Sequence, residues 1–399
     1  MRLGFRAARA DDLERLIDVH AAAFPDARDR DARARNFSRN PLGDLDDLWV
    51  AVSGETGDIV AHAFLFRLRA WFGGRLVPAG GVASVGVAPE ARGRGVGSAL
   101  VDHLHAVSSA RGDALTVLYP FRQGFYARLG YASTSTYRRL RVSPASVPWR
   151  PDLTARPAAG VDRAALQACW QMTAARRSGA LARTDRFWDM RLADEDNTWL
   201  VVDGPTGVEG YIAWRLEQIE PHAAITMIVV DMAARGDAAA RSLWALAGAQ
   251  RGQVAEVRIE VASDDPVERA LVDGDRARFG DAQVEHVVGE VASGPMVRVA
   301  DVEVALEARG YGADGHVILS VGEECFDLTV VGGRGAVSRP TAADPHLRMD
   351  ARTFSAVAFG ALAASHAHRF GWLEARDGHS LALADAILGL PAYFSPDPF

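Results

Sequence analysis

Lysine is absent from this chain of 399 residues, whose 44 basic side chains are all arginines. A nucleotide-binding P-loop requires a lysine after its glycines, so that class of phosphate site is excluded. Cysteine is scarce as well: Cys169 and Cys325 are far apart in sequence, and neither has a cysteine or histidine at metal-ligand spacing. We therefore expect two buried free thiols and no metal site.

Long apolar runs and an excess of positive charge are also missing. No stretch approaches the roughly 20 apolar residues that a membrane span requires, and Met1–Arg6 lacks the apolar region of a signal peptide. The formal charge of −7 argues against a nucleic-acid binder and suits a cationic partner such as an amine. We expect a cytoplasmic protein that neither crosses a membrane nor binds nucleic acid.

The chain does contain a strand, a glycine-rich basic turn and a helix in direct succession. The apolar run Val82–Ala88 ends at a proline, and the turn Arg92–Ser98 carries glycines at 93, 95 and 97 before an amphipathic helix. Glycines let the backbone approach a bulky anion, and a helix N-terminus offers unpaired N–H groups and a positive dipole end. Arg92 and Arg94 add charge-assisted hydrogen bonds. The pattern predicts a pyrophosphate site.

Two alternatives to this interpretation are a purely structural glycine turn and a dinucleotide-binding turn. The dinucleotide fingerprint requires Gly-x-Gly-x-x-Gly with an acidic residue about 20 residues further on. Here the order is Gly-x-Gly-x-Gly, and the next predicted strand, Ala114–Tyr119, carries no such acid.

That strand leads into the segment Gly124–Tyr131, and together these features resemble the acetyl-CoA-binding core of the GNAT N-acetyltransferases. The resemblance implies that the turn holds the CoA pyrophosphate and that the backbone of Val85 and Val87 holds the acetyl and pantetheine arm. It also implies that Tyr126 lies by the thioester sulfur as the general acid. The cofactor contacts implied in this way are Val85, Gly86, Val87, Arg92, Gly93, Arg94, Gly95, Val96, Gly97, Ser98, Phe121 and Arg122.

The pattern of apolar runs divides the chain into three predicted domains, 1–143, 144–295 and 296–399. The second repeats the order of the first, but its turn, Met232–Ala238, lacks the glycine pair and carries an acidic residue. It is therefore predicted to be a degenerate copy. The third, with predicted meander strands that include Val302–Glu307, resembles a sterol-carrier-protein-like α/β domain. The predicted class is α+β: tandem GNAT folds, each a mixed sheet flanked by helices, followed by that domain.

This order of units resembles the enhanced-intracellular-survival (Eis) family of acetyltransferases over essentially the whole chain. The resemblance implies that the α-carboxylate of Phe399 is the general base; such a carboxylate has an ordinary pKa of about 3.5. It also implies that Asp26 and Phe37 contact the acceptor and that the chain forms a homo-oligomer, a hexamer. Prolines at 396 and 398 favour a rigid tail, although Pro398 stands where family members often have an acidic residue.

The function that the sequence predicts is acetyl-CoA-dependent N-acetylation of a primary amine by direct attack in a ternary complex. The acceptor is an aminoglycoside, a polyamine or a lysine ε-amine. A non-catalytic acyl-CoA-binding scaffold and a lipid or sterol carrier remain alternatives. The histidine pairs His103/His105 and His366/His368 are two residues apart, so on a helix their members point to different sides, and no metal is predicted.

Overall fold

A computed structural model describes residues 2–25, 29–218, 224–271, 277–279, 284–340 and 344–399, with the backbone alone for 277–279 and 284–286. The N-terminal part contains six strands and four helices among these residues. The strands are β1 (Leu3–Ala7), β2 (Leu48–Ser53), β3 (Ile59–Phe72), β4 (Arg75–Val87), β5 (Leu115–Leu118) and β6 (Ala132–Ser133). The helices are α1 (Leu13–Ala23), α2 (Arg30–Ser38), α3 (Val96–Ala110) and α4 (Gln123–Ala127).

The middle part consists of further strands and helices. Its strands are β7 (Thr136–Val142), β8 (Thr154–Pro157), β9 (Thr198–Gly204), β10 (Gly207–Glu217), β11 (Ile225–Ala234), β12 (Val254–Ala262), β13 (Ala277–Phe279), β14 (Val284–His286) and β15 (Gly289–Ser293). Its helices are α5 (Arg163–Ala175), α6 (Asp185–Leu192) and α7 (Asp237–Ala249).

The C-terminal part alternates short strands with short helices. Its strands are β16 (Met296–Val299), β17 (Gly315–Val321), β18 (Glu324–Val331), β19 (Arg334–Ser338), β20 (Leu347–Met349) and β21 (Leu373–Ala375). Its helices are α8 (Val302–Ala308), α9 (Ala351–Ala358), α10 (Ala364–Arg369) and α11 (Gly378–Leu388).

Three large sheets result among the described residues, and two of them are mixed sheets of the same design. Their strand orders are β1-β2-β3-β4-β5-β16-β6, β15-β7-β12-β11-β10-β9-β8 and β19-β18-β17-β20-β21. In the first sheet β4 and β5 are parallel, and in the second β11 and β12 are parallel, each pair being linked by a helix, α3 or α7. The predicted α+β class with two similar units is therefore confirmed.

Two strands cross the predicted domain boundaries. β7 lies within 1–143 in sequence but pairs with β12 of the second sheet, and β16 lies within 296–399 but completes the first sheet beside β5. The strand exchange ties the three parts together, because each boundary is bridged by backbone hydrogen bonds. The division 1–143, 144–295 and 296–399 stays a prediction.

The predicted strand Val302–Glu307 is wrong, because this segment forms α8. Asp301 caps the helix by accepting a hydrogen bond from the Val304 N–H (3.0 Å), and Ala305 and Leu306 are buried. The alternation of apolar residues in this segment suggested a strand and gave no sign of the cap. The cap stabilises the start of the helix. No helix in the part of the chain that the structure describes is long and apolar enough to cross a membrane.

Candidate functional site

The first sheet opens where β4 and β5 separate. The two strands pair over Ala79–Gly81 of β4. Beyond this point β4 stays paired with β3 as far as Val87, whereas β5 pairs with β16 and ends at Leu118. The strands therefore leave a cleft with the glycine-rich turn after β4 at one end, and most of the predicted site residues lie along it.

The glycine-rich turn has the conformation that its glycines predict. Gly93 and Gly95 have φ angles of 72° and 77°, which side-chain-bearing residues rarely adopt, and open space surrounds both. Helix α3 begins at Val96, and no side chain caps its N-terminus at Gly95. The first N–H groups of the helix are thus available to an anion, as the sequence predicts for Val96, Gly97 and Ser98.

The two arginines of the turn differ in their surroundings. Arg92 Nε donates to the Val87 carbonyl oxygen (3.1 Å), and its Nη2 donates to the carbonyl oxygen of Ala22 (2.8 Å). Arg94 is exposed and has no side-chain partner among the described residues. Arg94 is therefore the cation free to meet a phosphate, whereas Arg92 ties the turn to β4 and α1.

A bulge in β4 was not apparent from the sequence. His62 of β3 faces Gly86 and Phe64 faces Ala83, so Ser84 and Val85 together oppose a single residue of β3. Ser84 has a φ angle of 50°, the one positive value for a non-glycine residue in the described chain. A bulge leaves backbone groups unpaired. It thereby frees groups for a ligand next to Val85, the residue expected to hold the pantetheine arm.

Gly86 and its two neighbours in the strand, Val85 and Val87, face opposite sides of β4. A Cβ atom at Gly86 would lie 2.6 Å from Nε2 of His62, so glycine is needed here for packing. Val85 and Val87 pack against the apolar cluster that contains Tyr126 and the α3 side chains. A cofactor contact at Gly86 is therefore restricted to its backbone atoms.

Tyr126 lies on α4 in an aromatic group beside this cluster. Its side chain is buried, with ring centroids 4.9 Å from Phe125, 5.8 Å from Phe121 and 5.8 Å from Tyr131, all edge to face. Burial raises the pKa of Tyr126 to about 12, so the phenol is protonated at neutral pH. Its hydroxyl has no hydrogen-bond partner among the residues described, which leaves it available to a ligand.

Phe121 and Arg122, the remaining predicted cofactor contacts, lie on the surface just before α4. The ring of Phe121 is 68% exposed although it packs against Tyr126, and the Arg122 side chain is exposed at the start of the helix. Both positions are accessible to a cofactor at the mouth of the cleft.

Of the two predicted acceptor contacts, the structure describes only Phe37. Phe37 is fully buried, with its ring 5.2 Å from that of His20 and 5.3 Å from that of His62. Burial and the neighbouring His20 lower the pKa of His62 to about 3, so the group is neutral. Phe37 thus packs in the core, on the side of α2 that also buries Arg33. Asp26 lies outside the described residues.

The last residue of the chain reaches the separation of β4 and β5. The Phe399 ring is 5.3 Å from the ring of Tyr119, which follows β5, and its Cδ2 lies 3.3 Å from where a Cβ of Gly81 would be. A larger residue than glycine at 81 would therefore crowd Phe399. Within the described chain no cation pairs with the terminal carboxylate.

A buried ion network holds the tail in this place. Arg183 bridges Asp397 (2.8 Å) and Asp231 (2.6 Å), and all three side chains have no exposed surface. The guanidinium lies 3.5 Å from the centroid of the Trp170 ring. Although burial alone lowers it, the pKa of Arg183 is raised well above its ordinary value by Asp231 and Asp397. The network fixes the tail two residues before Phe399.

The second sheet lacks the features of the glycine-rich turn. Helix α7 begins at Asp237 after Gly236, whose φ of −154° is ordinary extended backbone. The Asp237 carboxylate occupies the first turn, where it interacts favourably with the helix dipole and repels a phosphate.

The histidine pairs are used for packing and hydrogen bonding. His105 Nε2 is 3.1 Å from the Tyr131 hydroxyl, and His103 stacks on Phe5 at 4.7 Å. In the α10 pair, His368 Nδ1 is 3.0 Å from the Leu373 carbonyl oxygen. No group of three potential metal ligands occurs within the described residues.

Replacing Gly97 with valine should weaken acetyl-CoA binding by about tenfold or more, the loss expected for hydrogen bonds to a charged group. A Cβ at Gly97 would lie 3.4 Å from Val87 Cγ2, an ordinary contact, so the fold tolerates the change while the larger side chain blocks the turn. Calorimetric titration with acetyl-CoA measures the effect. Gly236→Val, at the start of α7, is the matched control and should bind normally. Equal affinities for the two variants would contradict the site.

Comparisons with known proteins agree with the fold of each part. Family models described as an acetyltransferase (GNAT) domain match residues 4–134 and 179–299, and a sterol carrier protein domain matches 302–395. N-acetyltransferase Eis of Mycobacterium tuberculosis is 25% identical over 354 residues, 84% of each chain. An uncharacterized N-acetyltransferase of Streptomyces avermitilis is 26% identical over 373 residues, 82% of each chain.

Solved structures show the same architecture over the full length. A GCN5-related N-acetyltransferase from Anabaena variabilis superposes with a TM-score of 0.86 at 21% identity, and Eis1 from Mycobacterium abscessus with 0.79 at 21% identity. Each comparison covers 100% of both chains. At this identity the structures establish the fold alone.

Proposed function

Because the chain belongs to the GNAT acetyltransferases as an Eis-like member, and is therefore an acyltransferase that uses an acyl-CoA, we propose that it acetylates a primary amine with acetyl-CoA. The acceptor classes are an aminoglycoside, a polyamine and a lysine ε-amine. All three are cationic, which suits a chain of net charge −7.

The proposal rests on three groups that lie along β4 and the elements beside it. The uncapped start of α3 lies at one end, Tyr126 lies in the cluster that includes Val85 and Val87, and Phe399 packs where β4 and β5 separate. Direct transfer from a thioester to an amine requires an anion site, an acid and a base, and these groups supply them.

In this proposal the cofactor contacts are the backbone of Val85–Val87, the turn Gly93–Ser98 and the surface pair Phe121 and Arg122. The amine nitrogen attacks the thioester carbonyl carbon in a ternary complex, and the Phe399 carboxylate accepts the proton that the nitrogen loses. As the carbon–sulfur bond breaks, the Tyr126 hydroxyl donates its proton to the departing sulfur. The products are the N-acetylated amine and CoA, and both groups are restored when the Phe399 carboxyl loses its proton to solvent and Tyr126 takes up a proton from solvent.

Thiol release during incubation with acetyl-CoA and kanamycin, spermidine or a lysine peptide tests the proposal. We expect saturable release with at least one of the three amines, and mass spectrometry should show its product heavier by one acetyl group. An N-acetylated form of the same amine is the matched control and should give only background hydrolysis. Background rates with all three amines would contradict the proposal. From the family resemblance we also propose that the chain forms a hexamer, which sedimentation equilibrium would detect.

The Asp397→Asn variant should have a kcat for amine acetylation that is lower by about tenfold or more, with the affinity for acetyl-CoA unchanged. The variant keeps the size of the side chain but removes one carboxylate from Arg183, so the tail no longer fixes Phe399. Asp264 holds the same tail further back, where its carboxylate accepts the Ala392 N–H (2.8 Å), so Asp264→Asn should have a smaller effect. Steady-state kinetics of both variants would contradict the role of the network if their kcat values were alike.

A further inference from the structure

A second cleft opens in the second sheet, at the place that corresponds to the cleft of the first. β11 and β12 pair in parallel from Ile225 to Ile228 of β11, and beyond that point β12 continues beside β7. A cavity of about 770 Å³ occupies the opening, and the tail segment Phe394–Pro396 forms part of its wall. This volume lies within the range of small-molecule sites.

One cation of the cavity, Arg177, lacks a carboxylate partner among the described residues. The other arginines that line it have carboxylate partners: Arg139 with Glu260 (2.8 Å), Arg191 with Asp231 (3.0 Å), Arg215 with Glu217 (2.8 Å) and Arg258 with Glu256 (2.6 Å). Arg177 has no ion pair and no side-chain hydrogen bond among the described residues. Its guanidinium lies 5.3 Å from the centroid of the Phe394 ring. Burial lowers the pKa of Arg177, and nearby acidic groups, chiefly Asp265 and Asp231, offset only part of this effect.

Two further donors of the cavity also lack partners. Arg191 Nε and the Ser395 hydroxyl are buried, and neither has a hydrogen-bond partner within the described chain. Buried polar groups are normally paired, so unpaired donors beside a cavity indicate that a ligand supplies the acceptors. Ile228, Ile259 and Trp244 add apolar surface to the same lining.

We propose that this cavity binds a small anion with an apolar body, whose carboxylate or phosphate head pairs with Arg177. The anionic head satisfies the unpaired guanidinium and the neighbouring donors, and the apolar body packs on the aliphatic and aromatic lining. The cavity lies in the cleft of the second sheet, and no residue of the glycine-rich turn lines it, although Tyr119 and Pro398, which lie beside Phe399, form part of its wall. Its occupancy does not depend on acetyl transfer.

Calorimetry with three probes of the same body tests the proposal: hexanoate, hexyl phosphate and 1-hexanol. We expect at least one of the anions to bind one site per chain, about tenfold or more tightly than hexanol. Arg177→Gln should weaken the binding of that anion by about tenfold or more and leave the affinity for hexanol unchanged. Arg176→Gln is the matched control, because this neighbouring arginine is exposed and donates only to the Arg235 carbonyl oxygen (3.4 Å). Acetyl-CoA binding by both variants verifies that they are folded.

Three results would overturn the proposal: neither anion binding more tightly than hexanol, Arg177→Gln and Arg176→Gln behaving alike, or anion binding beyond one site per chain without dependence on Arg177. A crystal of the unmodified protein soaked in 4-bromobenzoate gives a test free of substitutions. Anomalous density for bromine in the cavity supports the site, and its absence from the cavity contradicts it. Because the binding measurements involve no amine and no acetyl transfer, their failure is distinguishable from failure of the proposed enzyme activity.

Discussion

Tyr126→Phe is expected to lower kcat roughly 10²-fold while leaving the affinity for acetyl-CoA nearly unchanged. The substitution keeps the ring and its edge-to-face contacts with Phe125 and Tyr131 and removes only the hydroxyl proton. The departing thiolate then has no positioned donor. Steady-state kinetics with a saturating amine measure the loss.

The pH profile adds a second readout for the same residue. Because burial raises the pKa of Tyr126 to about 12, the phenol remains protonated from pH 7 to pH 10. Deprotonation of Tyr126 should therefore not lower the rate of the unmodified enzyme between pH 7 and pH 10. The pH profiles of the unmodified enzyme and of Tyr126→Phe should have the same shape over this range. Tyr131→Phe is the matched control: it loses a hydroxyl that binds His105 (3.1 Å), so we expect lower stability with kcat within about threefold. If both variants retain kcat within about twofold, Tyr126 only packs the core.

Moving the carboxylate of Phe399 is expected to have the largest effect of all, a loss in kcat of roughly 10²- to 10⁴-fold. Deletion of Phe399 leaves the carboxylate on Pro398, short by about 3.5 Å, and an added glycine moves it outward by a similar distance. Neither change touches the glycine-rich turn, so acetyl-CoA should bind within about twofold of normal. Single-turnover rates of both variants, beside their acetyl-CoA affinities, measure the effect.

Two controls separate the carboxylate from the ring of Phe399. One glycine added at the N-terminus should leave the rate unchanged. Phe399→Leu keeps the carboxylate but loses the contact with Tyr119, so we expect a smaller loss than deletion gives. A glycine-extended tail that works as well as the natural one would rule out the carboxylate as the base.

Sequence reasoning predicted those features of the candidate site that local chemistry determines. The glycines at 93 and 95 stand where the backbone needs positive φ, and the helix start at Val96 follows from them. Tyr126 is a predicted site residue because it stands in a segment whose resemblance to the GNAT core is specific. In each case neighbouring residues in the sequence contain the whole signal.

The remainder depends on contacts between distant residues. Arg183 and Asp397 are separated by 214 positions, and nothing in either neighbourhood indicates that they meet. The same holds for Arg92, whose partner carbonyl belongs to Ala22, and for Phe37, whose ring packs against two histidines from other elements. A charged or aromatic residue near a turn has several possible partners, and only tertiary packing selects among them.

In the proposed mechanism, Phe399 brings a base to the cleft of the first sheet. The most direct measurement compares two proteins made by ligating the same C-terminal peptide, one ending in the free acid and one in the carboxamide. The two differ in a single charge at the same position, and acetyl-CoA binding should be equal. We predict that the single-turnover acetylation rate of the amide is lower by roughly 10²-fold or more. Equal rates would contradict the role of the Phe399 carboxylate and assign the base to another group.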